Sequence, residues 1–196
     1  DPKQPDCTYP FRDICGALVA YKVIQALMQR MDPENGKKAE DRFLPFAALG
    51  TVCDVMPLRD ENRIVVKEGL KELRLRPSTG LLALMQVNGL APAAVNTYQL
   101  GFVLGPCMNS SGRLDTALRA MELLTCTDIE KAIPIAAQLK ELNDSRKAMT
   151  VKGVEQAKQL IEQEKLQQDK VLVVYLPDCH ESLAGIIAGR LRELYN

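Results

Sequence analysis

Asp54 is the carboxylate whose surroundings most invite chemistry. It closes an apolar run from Phe43 to Cys53 and is followed at once by Val55-Met-Pro-Leu58. An ionised carboxylate in such company is costly unless a cation or hydrogen-bond donors meet it. Two readings fit. One is a helix-end aspartate that bonds its own backbone before Pro57; the other is a hard oxygen ligand held for a divalent metal. A second stretch, Leu104-Gly-Pro-Cys-Met-Asn-Ser-Ser-Gly-Arg-Leu-Asp115, combines small residues that let a ligand approach backbone with Asn, Ser and Arg donors suited to an anion. Arg113 is the only cation between Arg76 and Arg119. The plainer alternative is a buried turn whose arginine pairs with Asp115 or a helix end. The third stretch, Asp178-Cys-His-Glu-Ser182 leading to Arg190, puts the lone histidine, His180, in a polar loop between a strand and a helix, where open α/β sheets place ligands. Gly185 and Gly189 give that helix a flat face. The competing view is a solvated loop histidine and a packing helix.

These residues need elements to hold them. Apolar spacing predicts a first helix from Asp13 to Met31, a loop over 32–38, and a second helix from Glu40 to Cys53 with Pro45 in its first turns. A third helix is expected from Glu61 to Leu73, and a short one after Pro77-Ser-Thr-Gly80 that Asn88-Gly89 ends. Residues 77–112 carry no charged side chain, which predicts a buried or covered stretch. Asp115 is expected to cap a helix reaching Leu124. A long helix then runs from Thr127 to about Gln168 without a strict heptad, which predicts an interdomain strut. On it, Asn143 and Arg146 either bridge domains or lie on a solvated face. Lys170-Val-Leu-Val-Val-Tyr-Leu176 reads as a buried strand, and Leu183–Leu194 as the helix that follows.

Composition narrows the classes. The chain has 196 residues, 46% hydrophobic and 26% charged, with 25 basic and 25 acidic side chains. A net charge of zero argues against a partner held by bulk charge alone and leaves room for a local basic groove. The six cysteines form no Cys-x-x-Cys pair, so no zinc clip is expected and reduced, cytoplasmic thiols are the simplest account. One histidine excludes a His-rich metal cluster, and no apolar run reaches the roughly 20 residues that span a bilayer. With no tryptophan and few other aromatics, an extended base-stacking platform is not expected.

Five pieces in order, Asp6-Cys-Thr-Tyr-Pro-Phe-Arg-Asp-Ile-Cys-Gly16, Ala48-Leu-Gly-Thr-Val-Cys-Asp-Val-Met-Pro-Leu58 with Glu61-Asn-Arg63, Gly105-Pro-Cys-Met-Asn-Ser-Ser-Gly-Arg113, Leu142-Asn-Asp-Ser-Arg146, and Cys179-His-Glu-Ser-Leu-Ala-Gly-Ile-Ile-Ala-Gly-Arg190, resemble the DHH phosphoesterase superfamily, most closely its RecJ branch of single-stranded-DNA-specific 5′-to-3′ exonucleases. The resemblance implies an α/β fold, helix-rich here: the C-terminal part of a DHH domain over 1–126, a long interdomain helix over 127–168, and the first strand-helix unit of a DHH-associated domain over 169–196. It makes Asp54 a metal ligand, and Asn109, Ser111, Gly112 and Arg113 the loop lining the nucleic-acid path. His180 and Arg190 become nucleic-acid contacts from the associated domain, and Asp54, Arg113 and His180 the catalytic set.

The same resemblance implies two Mn²⁺ or Mg²⁺ ions in the intact site, with the other ligands (Asp-x-Asp, a further aspartate and Asp-His-His) preceding Asp1. Both ends of the chain are accordingly expected to be cuts through a larger protein, and this chain alone is expected to be inactive. Single-stranded DNA is the implied substrate in DNA repair and recombination, with a single-strand-binding protein and a helicase as implied partners and no membrane. The family often has Arg at Cys107, Trp at Cys179 and Gly at Ser182. Two alternatives remain: a DHH-family hydrolase of short oligonucleotides or cyclic dinucleotides, whose usual Gly-Gly-Gly-His signature is absent here, and a non-catalytic nucleic-acid-binding scaffold.

Overall fold

A computed structural model describes residues 2–34, 36 and 41–195. Part of the expected loop at 32–38, and the expected helix start at Glu40, lie outside the described residues. The chain divides into two compact units, one of Asp1–Pro106 with Met121–Ala137 and one of Cys107–Ala120 with Gln138–Asn196.

The first unit is built on three helices: α1 (Gly16–Met31), α2 (Leu44–Cys53) and α3 (Asp60–Leu75). Helix α1 starts three residues later than its spacing predicts. Asp13 is occupied elsewhere: its carboxylate takes Arg59 and its carbonyl accepts from Asn62 Nδ2. Ile14, Cys15, Leu18 and Tyr21 pack with Leu44, Ala47 and Val65 as one core. Helices α2 and α3 cross closely at Gly69, where an added Cβ would lie 2.5 Å from Ala48 Cβ and 2.8 Å from the Leu44 carbonyl oxygen. Helix α4 (Thr79–Val87) is capped by Ser78 and ends before Gly89, at φ +68°, as its sequence predicts. Leu81, Ala83, Leu84 and Met85 on it are completely buried, as are Val95, Leu100 and Leu104, which accounts for much of the uncharged stretch.

That stretch continues through a capping box at Asn96 and Gln99, a π-helical turn at Leu100–Leu104, and α5 (Gly105–Leu114). Pro106 has no N–H to donate and its ring crowds the preceding turn, and widening the helix just before it relieves both.

The second unit uses most of α5, the start of α6 (Leu118–Thr125), the longer part of α7 (Ile129–Gln163) and all of α8 (Ala184–Tyr195). Helix α7 is shorter than predicted, because Lys165 turns left-handed at φ 57° and a 3-10 turn takes up Leu166–Gln168. It does not break at Gly153: Ile187 of α8 occupies the space a side chain would need there. Ala157 and Ile161 of α7 form the core of this unit with Leu183, Ile187 and Leu191.

The expected buried strand at Lys170–Leu176 is corrected. The segment is extended, and its side chains alternate: Leu172, Val174 and Leu176 pack on that core, whereas Val173 and Tyr175 are 77% and 80% exposed. A strand needs a hydrogen-bonded neighbour, and no strand occurs among the described residues. Among the described residues the regular structure is helical throughout. No helix among the described residues is long and apolar enough to cross a membrane.

Candidate functional site

Asp54 is the C-cap of α2, its N–H bonded to the Gly50 carbonyl at 2.9 Å. Its side chain is exposed rather than sunk among the apolar residues that flank it in sequence. The carboxylate has no hydrogen-bond or ion-pair partner among the described residues. A helix C-terminus carries partial negative charge and disfavours an anion by about 0.3–1 kcal/mol. The next residue adds a second cost. Val55 sits at φ +54°, and a β-branched side chain in the left-handed region costs on the order of 1–3 kcal/mol. Asp60, at φ +45°, closes the same loop with another left-handed residue.

Something must hold this turn. Asn62, completely buried at the start of α3, donates from Nδ2 to the carbonyls of Asp13 (2.7 Å) and Pro57 (3.0 Å), and its Oδ1 has no partner. Arg59 adds an ion pair to Asp13 at 2.9 Å. Beneath the turn, burial and the neighbouring Asp54 charge push the Cys53 thiol up to about 11, so it stays protonated.

The donor set available for a metal is therefore one free carboxylate. Its hard oxygens suit Mn²⁺ or Mg²⁺, which prefer oxygen ligands. Among the described residues no group of three His, Cys, Asp or Glu side chains converges on one point.

In the second unit the expected loop around Asn109–Arg113 is helix α5, a correction of its local structure. Asn109, Gly112 and Arg113 are exposed, but Ser111 is buried with its hydroxyl donating to the Met108 carbonyl at 2.8 Å, so it is not presented to a ligand. Arg113 does not pair with Asp115, which binds Arg119 at 2.6 Å. It donates from Nη1 to the Ser182 carbonyl at 2.8 Å. Ser182 also joins His180: its N–H donates to Nδ1 at 3.3 Å, and its hydroxyl lies 2.8 Å from the same nitrogen. A backbone N–H pointing at Nδ1 requires that nitrogen to be unprotonated, so neutral His180 carries its proton on Nε2, turned away from this cap. Arg190 pairs with Glu193 at 3.2 Å one turn along α8, and Gly185 and Gly189 have nothing within 4 Å of an added Cβ.

Sequence reasoning left two residues of this unit undecided. Asn143 is only 2% exposed, and its Oδ1 accepts from Ser110 Oγ (3.3 Å), Arg146 Nε (3.3 Å) and Arg146 Nη2 (3.0 Å). Their Asn-x-x-Arg spacing on a helix was the available signal. Cys107, where the resemblance expects Arg, is a fully buried thiol, and Cys179, where it expects Trp, packs at the edge of the core.

The chain is 36% identical over 190 residues to the single-stranded-DNA-specific exonuclease RecJ of Bacillus subtilis, covering 97% of this chain and 23% of that protein. It matches the crystal structure of RecJ in complex with Mn²⁺ from Thermus thermophilus with a TM-score of 0.78 at 28% identity, over 97% of this chain and 27% of the other. The Mg²⁺ complex of the same protein gives a TM-score of 0.76 at 27% identity, over 97% and 29%. No protein-family profile matches. Sequence and fold agree: the chain is similar to RecJ proteins over nearly its whole length. It spans about a quarter of the length of the relatives described.

Proposed function

We propose that this chain is part of a single-stranded-DNA exonuclease that hydrolyses phosphodiesters from the 5′ end with two Mn²⁺ or Mg²⁺ ions. When bound, such ions supply an activated water and stabilise charge at the departing oxygen. Asp54 would hold one of them. Arg113 would bind backbone phosphate through the N–H groups not used on Ser182, and His180 would donate from Nε2 to a phosphate oxygen. Asn109, Gly112 and Arg190 are the further exposed positions along the nucleic-acid path. In this reading residues 1–126 complete a DHH domain, 127–168 form the connecting helix and 169–196 open the associated domain. A single-strand-binding protein and a helicase as partners, and a cytoplasmic setting, follow from the same family reading.

One observation carries the proposal: an unpaired carboxylate kept at a helix C-terminus by a strained, buried-amide-anchored turn. Both features cost stability, and a ligand role accounts for their retention. The test is Asp54→Ala in the full-length protein. Hydrolysis of labelled single-stranded DNA is expected to be lost while strand binding persists; undiminished turnover would remove Asp54 from the metal site.

A further inference from the structure

Arg146 is a cation without an acid. It is half-buried on α7, and no carboxylate pairs with it among the described residues. Arg113 has no acid among the described residues either. Arg113 stands about one turn beyond Ser110 on α5, and Ser110 bonds Asn143, the residue that holds Arg146, which brings the two guanidiniums near each other. Burial first, and the Arg113 charge second, hold Arg146 below the ordinary arginine range. Bringing like charges together while stripping water from one of them opposes folding. Proteins tolerate this where an anion completes the set.

The head group of Arg146 is also fixed, which a solvated strut arginine would not be. Nε and Nη2 both rest on Asn143 Oδ1, itself buried and steadied by Ser110. That leaves both N–H groups of Nη1 and one of Nη2 without a partner among the described residues. Arg113 is fixed in the same manner by the Ser182 carbonyl. Two planar forks, each anchored by part of its donor set and each with donors to spare, match the several oxygens of a phosphate group.

We propose that Arg146 and Arg113 together form an oxyanion site for a phosphate of the DNA strand, with Asn143 and Ser110 as the residues that aim Arg146. This rests on the reading of the chain as part of a DNA exonuclease and adds a second guanidinium to it. The shared ligand chemistry is a phosphate oxyanion, and its two sources are a 5′-terminal monophosphate and an internal diester.

The test uses the full-length protein with Arg146→Gln, Arg146→Lys and Arg113→Gln, each checked for an unchanged melting temperature. Binding of 5′-phosphorylated and 5′-hydroxyl single-stranded oligonucleotides is measured by fluorescence anisotropy across a salt series. Arg146→Gln is expected to weaken binding about tenfold and to lower the salt slope by about one. Arg146→Lys, which keeps the charge and loses the fork, should fall between. A loss confined to the 5′-phosphorylated strand assigns the terminal monophosphate, and an equal loss for both strands assigns an internal diester. Wild-type affinity and slope in Arg146→Gln, with Arg113→Gln impaired, overturns the proposal and leaves the functional reading standing. Wild-type behaviour in both glutamine variants overturns both.

Discussion

Ser110 and Asn143, 33 residues apart in sequence, meet through a buried hydrogen bond of 3.3 Å that ties α5 to α7. Neither side chain reaches solvent, so the pair must satisfy itself internally. Replacing Asn143 by Ala removes the buried bond to Ser110 and frees Arg146. We expect a loss of about 2 kcal/mol in denaturant unfolding of the chain. The double variant Ser110→Ala with Asn143→Ala should lose less than the sum of the two single changes, because the shared bond is counted once. Strict additivity would show the pair to be uncoupled.

Two glycines should respond in opposite directions. At Gly69 a methyl group would overlap Ala48 and the α2 backbone, so Gly69→Ala is expected to cost about 1–3 kcal/mol. At Gly189 nothing lies within 4 Å, and the residue is inside α8. There Gly189→Ala should gain about 0.5–1 kcal/mol from helix propensity alone. Thermal melts of the two variants check the contrast, and a destabilised Gly189→Ala would mean that its open face is covered in solution.

The N-terminal segment is pinned by a titratable triad. Tyr9 donates to Glu61 Oε2 at 2.6 Å, and Lys22 pairs with Oε1 of the same carboxylate. Burial alone would raise Glu61, but hydrogen bonds from Lys22 and Tyr9, with the charge of Lys22, outweigh it and hold the carboxyl below its ordinary value. Burial, then the bond to Glu61 and its charge, push Tyr9 from 10.0 up to about 12. The Glu61 contribution is therefore complete above the ordinary carboxylate range and is lost as pH falls through the depressed value. The Tyr9 contribution is complete below its ordinary value and is lost as pH rises toward about 12. In Tyr9→Phe the alkaline limb of a stability–pH curve should flatten, with about 1 kcal/mol lost at neutral pH. An unchanged alkaline limb would contradict the assignment.

Metal binding by the chain alone should be weak. One exposed carboxylate gives a divalent ion a single protein ligand, where Ca²⁺ takes six or more oxygens and Mg²⁺ an octahedral set. Calorimetric titration with Mn²⁺ is expected to show at most millimolar binding, insensitive to Asp54→Ala within error. A micromolar site that disappears in Asp54→Ala would show that the chain assembles more of a centre than its side-chain positions suggest.

The sequence disclosed more of the helices than of their contacts. The end of α2 at Cys53, the stop at Gly89 and the long reach of α7 follow from local spacing and punctuation, which a single chain segment carries within itself. The Gly105–Leu114 helix was hidden because Gly, Pro and Ser favour loops locally; its helical state is propagated from the capping box at Asn96 and secured by burying Ser110 and Ser111. The sequence singles out Asp54 for a reason the structure only partly shares. Its apolar neighbours in sequence do not enclose it, and the strain that marks it sits in the φ angle of Val55, which residue types do not reveal. Arg146 looked like one more cation on a polar helix face. Its special position depends on Arg113 and Ser110, which periodicity along α7 cannot bring into view.

The extended run from Val171 to Tyr175 has one further consequence. Its backbone N–H and C=O groups have no partners among the described residues, and its outward side chains are Val171, Val173 and Tyr175. Such an edge is a template for another copy of itself. Purified on its own, the chain should associate in a concentration-dependent way through this run, with new β-structure appearing in circular dichroism as the copies pair. A single lysine at Val173 would then act as a gatekeeper, keeping the chain monodisperse without touching the residues proposed to bind DNA.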